Sequence, residues 1–512
     1  MNARLCVMTI VLKLVSNSLL LAAEVGISRE QEEHIIRQAA RVTPSPGELA
    51  WLETEFNAFI HFTVNTFTDR EWGDGKEDPK VFNPTDFDAR QWIQVFKDAG
   101  MKMVVLTAKH HDGFCLWPSQ FTEHSVKNSP WRNGKGDVVR EVSDACRELG
   151  LKFGLYLSPW DRHESSYGDS PRYNEYYKNQ LRELLTHYGD IHEIWFDGAC
   201  AEGPNGKMQI YDIDGFVGLI RTLQPRAVIV GVDGYAKDES GYGRETEWMA
   251  VPRFVQADGS LYEPRNVGQA LAYINQPNFG SRQFILDAVT RHRYPFDWWV
   301  SENIVSIRPG WFYHASEDDK VKSLEKLLDI YYCSVGRNGP LLLNVPPDRR
   351  GRIHETDAQR LRDLGKVLQA TFARNLARGA ASRASQVRDG NAAYGAANTL
   401  DGDSHTYWMA DDGVSTAWLE YDLGQAQVFN RVVLQEFVQR GQRVEEFAVE
   451  TWDGQRWNEV AHGSTIGYKR ILRTADVKAT KVRVNILRSR VCPTLSTFGL
   501  YFAPPAGDVL RQ

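Results

Sequence analysis

Cysteine is scarce in this 512-residue chain: Cys6, Cys115, Cys146, Cys200, Cys333 and Cys492 lie far apart, and no two form a C-x-x-C pair. That spacing excludes a disulfide framework and a zinc-finger ligand set. Processing that removes Cys6 leaves an odd number, so at least one thiol is unpaired. Basic runs are absent too. The 66 acidic side chains slightly outnumber the 60 Lys and Arg, which argues against a nucleic acid or an anionic membrane as partner. Past the N-terminus no segment approaches the ~20 apolar residues of a membrane span. A small uncharged ligand, or a polymer without phosphate, is what these absences leave.

The N-terminus itself, MNARLCVMTIVLKLVSNSLLLAAE, has a basic start, an apolar stretch and a small-residue end at Ala22-Ala23. Residues 1–23 therefore read as a secretory signal peptide, and the expected location is secreted or periplasmic.

Aromatic residues are abundant, with fifteen Trp, twenty Tyr and twenty-three Phe. Flat apolar faces stack on the C–H faces of sugars, although aromatics fill cores more often than they line pockets. The excess tilts the reading towards carbohydrate without establishing it.

After a polar helical stretch that ends at Pro44 and Pro46, strand and helix patterns alternate. The strands are FNAFIHF (56–62), MKMVVLTAKHH (101–111), LKFGLYLSPW (151–160), HEIWFDGA (192–199) and AVIVGVD (227–233). Between them run helices at 88–100, 136–150, 174–189 and 213–224, the first two closed by glycine. Repeated strand-helix-strand units with short links mean parallel strands joined by right-handed crossovers. Further β signal at DWWVSENIV (297–305) and GPLLLNVPPD (339–348) favours a closed (β/α)8-like, TIM-type barrel over an open sheet. The later units are less regular, so one is expected to be missing or distorted. Helices at 317–336 and 354–375 close this domain, set at 24–376. From Gly379 helical periodicity disappears, and short alternating strands with turn signals at Asp401-Gly402 and Asp453-Gly454 predict an all-β sandwich over 377–512.

In an α/β barrel the chemistry sits at the carboxyl ends of the strands. The first strand ends in His61, followed by a loop with Glu71 and Trp72. The second ends in His110-His111, the third in Tyr156 with Trp160 and Asp161 beyond, and the fourth supplies Trp195 and Asp197. Each has a bland reading: a satisfied buried histidine, a solvated loop acid, a core tryptophan, or, for Asp197, a helix N-cap after a strand. Polar and aromatic residues at every strand end, however, are hard to explain by packing. One carboxylate asks for a second, because glycoside cleavage commonly uses two, about 5 to 5.5 Å apart for retention and about 6.5 to 9.5 Å for inversion. The loop DGYAKDESGYGRETEW (233–248) offers Asp233, Asp238, Glu239, Glu245 and Glu247, and composition does not choose among them.

Taken in order, FIHFTVNTFTDREWGDGKEDPKVFNP, LTAKHHDGFCLWPS, GLYLSPWD, EIWFDGACAEGPNGK, GYGRETEW, SIRPGWFYH and GRNGPLLLNVPPDRRG resemble the motifs of the α-L-fucosidases of glycoside hydrolase family 29, over about residues 45–375. The form is most similar to the subfamily acting on α-1,3- and α-1,4-linked fucose. The resemblance implies a retaining exo-hydrolase that releases α-L-fucose from oligosaccharides or glycoconjugates through a fucosyl-enzyme. It places Asp197 on the catalytic nucleophile, and His61, Glu71, Trp72, His110, His111, Tyr156 and Trp195 on positions that hold the sugar. The acid/base falls by count on Glu239, with Asp238 where Asn is common and a shorter loop; Glu247 and Glu245 are the runners-up.

The C-terminal ASRAS, NTLDGDSHTYW and TAWLEYDLG resemble a discoidin or coagulation factor 5/8 C-type module, a galactose-binding-like jelly roll. Such modules often bind sugars, and some relatives hold calcium, so a structural calcium in this module and no cofactor for catalysis are what the likeness implies. Trp408, Trp418 and Trp457 read equally as core or as sugar platforms, and the module equally as a buttress for the barrel. Two other readings compete. One is a sugar-binding homologue with an impaired acid; the other is a metal-dependent barrel hydrolase built on His61, His110, His111 and Asp197. Against the latter, adjacent His110 and His111 on a strand point to opposite faces unless a bulge intervenes.

Overall fold

The computed structural model describes residues 28–232, 234–237, 248–252, 276, 278–292 and 296–511. The expected signal peptide lies outside these, as do Asp233, Asp238, Glu239, Glu245 and Glu247.

The strands of the first domain are β1 (Phe56–Ile60), β2 (Met103–Lys109), β3 (Lys152–Leu157), β4 (Glu193–Trp195), β5 (Val228–Val230), β6 (Gly234–Lys237), β7 (Ala250–Pro252), β8 (Phe296–Trp298), β9 (Val300–Ser306) and β10 (Leu341–Asn344). Eight of them close a barrel in the order β1-β2-β3-β4-β5-β6-β9-β10, all pairings parallel. β1 and β2 are buried along their whole length, as parallel strands covered on both faces must be. Phe59, Val105, Tyr156, Trp195, Val228, Val300 and Leu342 fill the lumen. The alternate residues pack outward under the helices, two of which are capped at their N-termini by aspartates: Asp88 accepts from the Gln91 N–H and Asp137 from the Arg140 N–H.

The irregularity expected of the later units lies at β5 and β6. Only residues 231–233 separate them, too few for a helix, and a single pair, Val230 with Gly234, joins them. The β signal of DWWVSENIV falls on two strands: β8 pairs antiparallel with β7 outside the barrel, and β9 starts afresh at Val300. Pro46, taken as a helix stop, opens a second helix, Pro46–Leu52, because Ser45 and Glu48 form a capping box around it. The helix expected from 317 begins at Leu324, where the Ser323 hydroxyl caps the Lys326 N–H.

The second domain is a sheet of six antiparallel strands around its own core. Its two longest strands, Ala417–Gln435 and Arg470–Ser489, pair along most of their length with register shifts at 422/427 and 429/431, which bend the sheet over the core. Trp408 is fully buried there, so its core reading holds. Trp418 and Trp457 instead flank the Arg483 guanidinium on the sheet's outer side, at 5.1 and 4.1 Å.

This domain is packed against the barrel. Ile471 N–H donates to Gly336 O at 2.9 Å, Tyr468 N–H to Asn338 at 2.6 Å, and Met249 N–H to Gln442 at 2.9 Å. Arg490, with no exposed side-chain surface, pairs with Glu445 at 3.2 Å, donates to Gly280 O at 2.8 Å and stacks on Trp248 at 3.5 Å.

Candidate active site

Asp197 lies two residues past β4. It caps no helix, since the next one starts at Ile213, so the bland reading fails on the structure. Its Oδ1 accepts the Ala199 N–H at 2.7 Å and its Oδ2 accepts the Tyr156 hydroxyl at 2.8 Å. The side chain remains 25 % exposed. One hydrogen bond on each oxygen fixes the carboxylate plane while leaving lone pairs towards the open mouth.

Three histidines stand beside it. β2 carries a bulge between Thr107 and Lys109, and the chain then turns, with Gly113 N–H bonded to His110 O at 3.0 Å. The expectation that His110 and His111 point apart is therefore wrong: their ring centroids are 4.1 Å apart. Bulges commonly re-aim side chains in this way at a barrel rim.

The hydrogen-bond network assigns two tautomers. Ser158 donates its hydroxyl hydrogen to Trp160 O at 2.6 Å, so it accepts from His111 Nδ1 at 2.8 Å. Asn344 donates its amide hydrogens to Ser306 and Trp311 O, so its Oδ1 accepts from His61 Nδ1 at 2.8 Å. Both rings thus carry the proton on Nδ1 and present a bare Nε2; that of His111 lies 3.7 Å from Asp197. His110 Nδ1 is buried without a hydrogen-bond partner among the described residues. Burial pushes the His61 imidazole down to about 4, against the pull of Asn344 and Asp197. It lowers His110 and His111 as well, aided at His110 by the neighbouring imidazoles. All three rings are neutral at pH 7 and suited to accept hydrogen bonds from uncharged hydroxyls.

Aromatic walls surround this polar cluster. Tyr156 stacks on Trp195 with centroids 5.6 Å apart. Trp195, 7 % exposed, forms the floor and donates its indole N–H to Glu302 at 3.0 Å. Trp72, 54 % exposed, stands edge-on to His111 and Trp160. Opposite, Trp311 and Phe312 approach His61 at 5.3 and 5.4 Å.

Glu71, its side chain 39 % exposed, holds the loop after β9. It accepts the N–H groups of Trp311 at 2.9 Å and Phe312 at 3.1 Å, and pairs with His314 Nε2 at 2.8 Å. Asp161, noted at the third strand end, is wholly buried in an ion pair with Lys109 at 2.9 Å and belongs to the packing. Sequence reasoning missed Trp311, Phe312, Asn344, Ser158 and Glu302. Asn344 could have been found, because it is the inward residue that ends β10.

Among the described residues no three His, Cys, Asp or Glu side chains gather to hold a metal ion. His61, His110, His111 and Asp197 are neighbours but do not converge as a ligand set among the described residues, so the geometry lends the metal-hydrolase alternative no support. In the sandwich, Asp401 accepts from Asp403 N–H at 2.8 Å and from the Thr406 hydroxyl at 2.6 Å, so both its oxygens are already engaged locally.

Residues 43–371 match the α-L-fucosidase family model and residues 380–495 the F5/8 type C domain. The chain is 42 % identical over 475 residues to α-L-fucosidase 1 of Arabidopsis thaliana, covering 91 % of this chain and 88 % of the relative. Its fold is similar to that of a glycoside hydrolase 29 family member from a rumen bacterium (38 % identity, TM-score 0.74, covering 91 % of this chain and 78 % of the other). It is also similar to a Ruminococcus gnavus family 29 fucosidase solved in complex with fucose (32 % identity, TM-score 0.80, covering 91 % and 96 %). A polar mouth of neutral hydrogen-bond acceptors around one exposed carboxylate, on a barrel matched over nearly its whole length, makes this chain a member of the α-L-fucosidases of glycoside hydrolase family 29 with a C-terminal F5/8 type C domain.

Proposed function

We propose that the enzyme is a retaining exo-α-L-fucosidase in which Asp197 is the nucleophile and Glu239 the acid/base. The arrangement that carries this reading is the Asp197 carboxylate, held by Tyr156 and Ala199, open to solvent and flanked by the bare Nε2 atoms of two neutral imidazoles. Asp197 attacks the anomeric carbon as the leaving oxygen takes a proton, and an ester forms. Water, deprotonated by the same second acid, then releases the sugar with its configuration kept. Tyr156 stays a donor throughout, since burial and the Asp197 charge push its phenol well above its ordinary range. The hydroxyls of fucose find acceptors at His61 and His111, and its apolar face has walls at Trp72, Trp195 and Trp311.

β6 ends at Lys237 on the carboxyl rim that also carries Asp197, and residues 238–247 follow it in the sequence. This supports a second acid from that segment, with Glu239 ahead of Glu247 and Glu245. We propose α-1,3- and α-1,4-linked fucose on oligosaccharides or glycoconjugates as the substrate, and an exported enzyme. For the C-terminal domain we propose a buttress role; calcium there stays an implication of the likeness.

The test has two parts. Proton NMR of the first-formed fucose shows the α anomer if configuration is retained, and the β anomer contradicts retention. Glu239→Gln loses turnover of a poor leaving group while still forming the fucosyl-enzyme from 2,4-dinitrophenyl fucoside, and azide restores its second step. The same behaviour in Glu245→Gln or Glu247→Gln instead moves the acid/base to that residue.

A further inference from the structure

Two carboxyl groups that no step above uses lie inside the barrel. Glu193 opens β4 and Glu302 sits within β9, both with no exposed surface. Each gives one oxygen to an indole: Glu193 Oε2 accepts from Trp51 at 2.6 Å and Glu302 Oε2 from Trp195 at 3.0 Å. The other oxygen of each, Oε1, is buried without a hydrogen-bond partner among the described residues. Room is made for them on the neighbouring strand, where a side chain at Gly154 would meet Glu193 Cβ at 3.0 Å.

Two bare carboxylates cannot both stay charged in a dry lumen. The groups facing them are the indoles of Trp51 and Trp195, and no Lys, Arg or His among the described residues acts on either acid. A proton held between the two orphan oxygens satisfies both at once. The same pair touches the catalytic groups through a short chain, since Trp195 stacks on Tyr156 and Tyr156 holds Asp197.

We propose that Glu193 and Glu302 share one proton in the barrel lumen, and that this bridge, through Trp195 and Tyr156, positions the Asp197 carboxylate. The pair is a positioning device beneath the site. Burial pushes Glu193 up to about 8, and burial together with the Glu193 charge pushes Glu302 up as well. In the unfolded chain both acids ionise near 4.5. Their contribution to stability is therefore complete below that pH and is lost as pH rises through about 8. Deprotonation of the pair puts negative charge beneath Trp195.

This inference rests on the reading of Asp197 as nucleophile, so the experiment separates the two. kcat/KM for 2,4-dinitrophenyl fucoside, whose leaving group needs no protonation, is followed from pH 5 to 9 together with Tm. In Glu302→Gln an amide donor replaces the shared proton. Its ratio of kcat/KM at pH 8.5 to that at pH 6 is expected to exceed the parent's at least fivefold, and its Tm to fall less over that interval. Glu302→Leu, with no acceptor for Trp195, loses tenfold or more in kcat with a smaller change in KM, and Gln recovers most of that loss. Rate and Tm profiles of Glu302→Gln that superimpose on the parent's overturn the shared proton, as does full turnover in Glu302→Leu. An Asp197→Ala variant measured alongside keeps the cases apart: if it is dead while Glu302→Gln behaves as the parent, only the pair's role falls.

Discussion

Tyr156 donates its hydroxyl hydrogen to Asp197 across 2.8 Å, from the end of the strand next to the one that carries the carboxylate. A hydrogen bond to a charged acceptor is worth about 1.5–3 kcal/mol. Tyr156→Phe keeps the stack on Trp195 and removes only this bond. We predict a fall in kcat of about ten- to a hundredfold with KM within about threefold, measured on an aryl fucoside.

Gly310 gives a separate handle on the loop that carries Trp311 and Phe312. A Cβ there would lie 2.6 Å from Glu71 Oε1, the oxygen that anchors Phe312 and His314. Gly310→Ala must displace that carboxylate and slacken the wall against His61. The expected outcome is a KM raised tenfold or more with Tm within a few degrees, because the partly exposed Trp311 of this loop stands beside His61 in the proposed sugar site. An unchanged KM would remove the loop from substrate binding.

The neutral histidines predict how stability depends on pH. His61, with a folded value of about 4 against 6.5 unfolded, takes up its proton more readily in the unfolded chain. Its contribution is present above pH 6.5 and is lost as pH falls through about 4. His110 and His111 shift in the same direction. Tm should therefore drop steeply on acidification from pH 6.5 to 4, and His61→Gln should drop less over that range.

Arg490 pairs with Glu445 inside the C-terminal domain and reaches the barrel domain through Gly280 and Trp248. Truncating one partner of a buried ion pair commonly costs about 3–5 kcal/mol, because the other charge is left behind. Arg490→Ala is expected to lower Tm by several degrees and to speed proteolysis near the domain junction. Unchanged proteolysis at the junction would mean that the sandwich merely trails the barrel.

Much of this architecture was legible in the chain, because buried parallel strands such as MVVLTAK and capped helices such as the one after Asp137 follow from local pattern alone. The strand-end rule led to His61, His110, His111, Tyr156, Trp195 and Asp197, which the fold does bring together. Geometry that arises between strands was not legible. The bulge at 107–109 turns two adjacent histidines to one side, and nothing in KHHD signals it. Glu193 and Glu302, 109 positions apart, become partners only when the barrel closes. Glu71, read as a sugar contact, also accepts backbone N–H groups from a loop about 240 residues away. That pairing exists only in the folded rim.

The most direct test of Asp197 as nucleophile is to trap the enzyme with 2-deoxy-2-fluoro fucosyl fluoride and map the labelled peptide by mass spectrometry. The 2-fluorine slows the second step, so the ester accumulates. A label on Asp197, within HEIWFDGA, is the predicted result. A label on another acid, or steady turnover with no covalent adduct, would contradict the account.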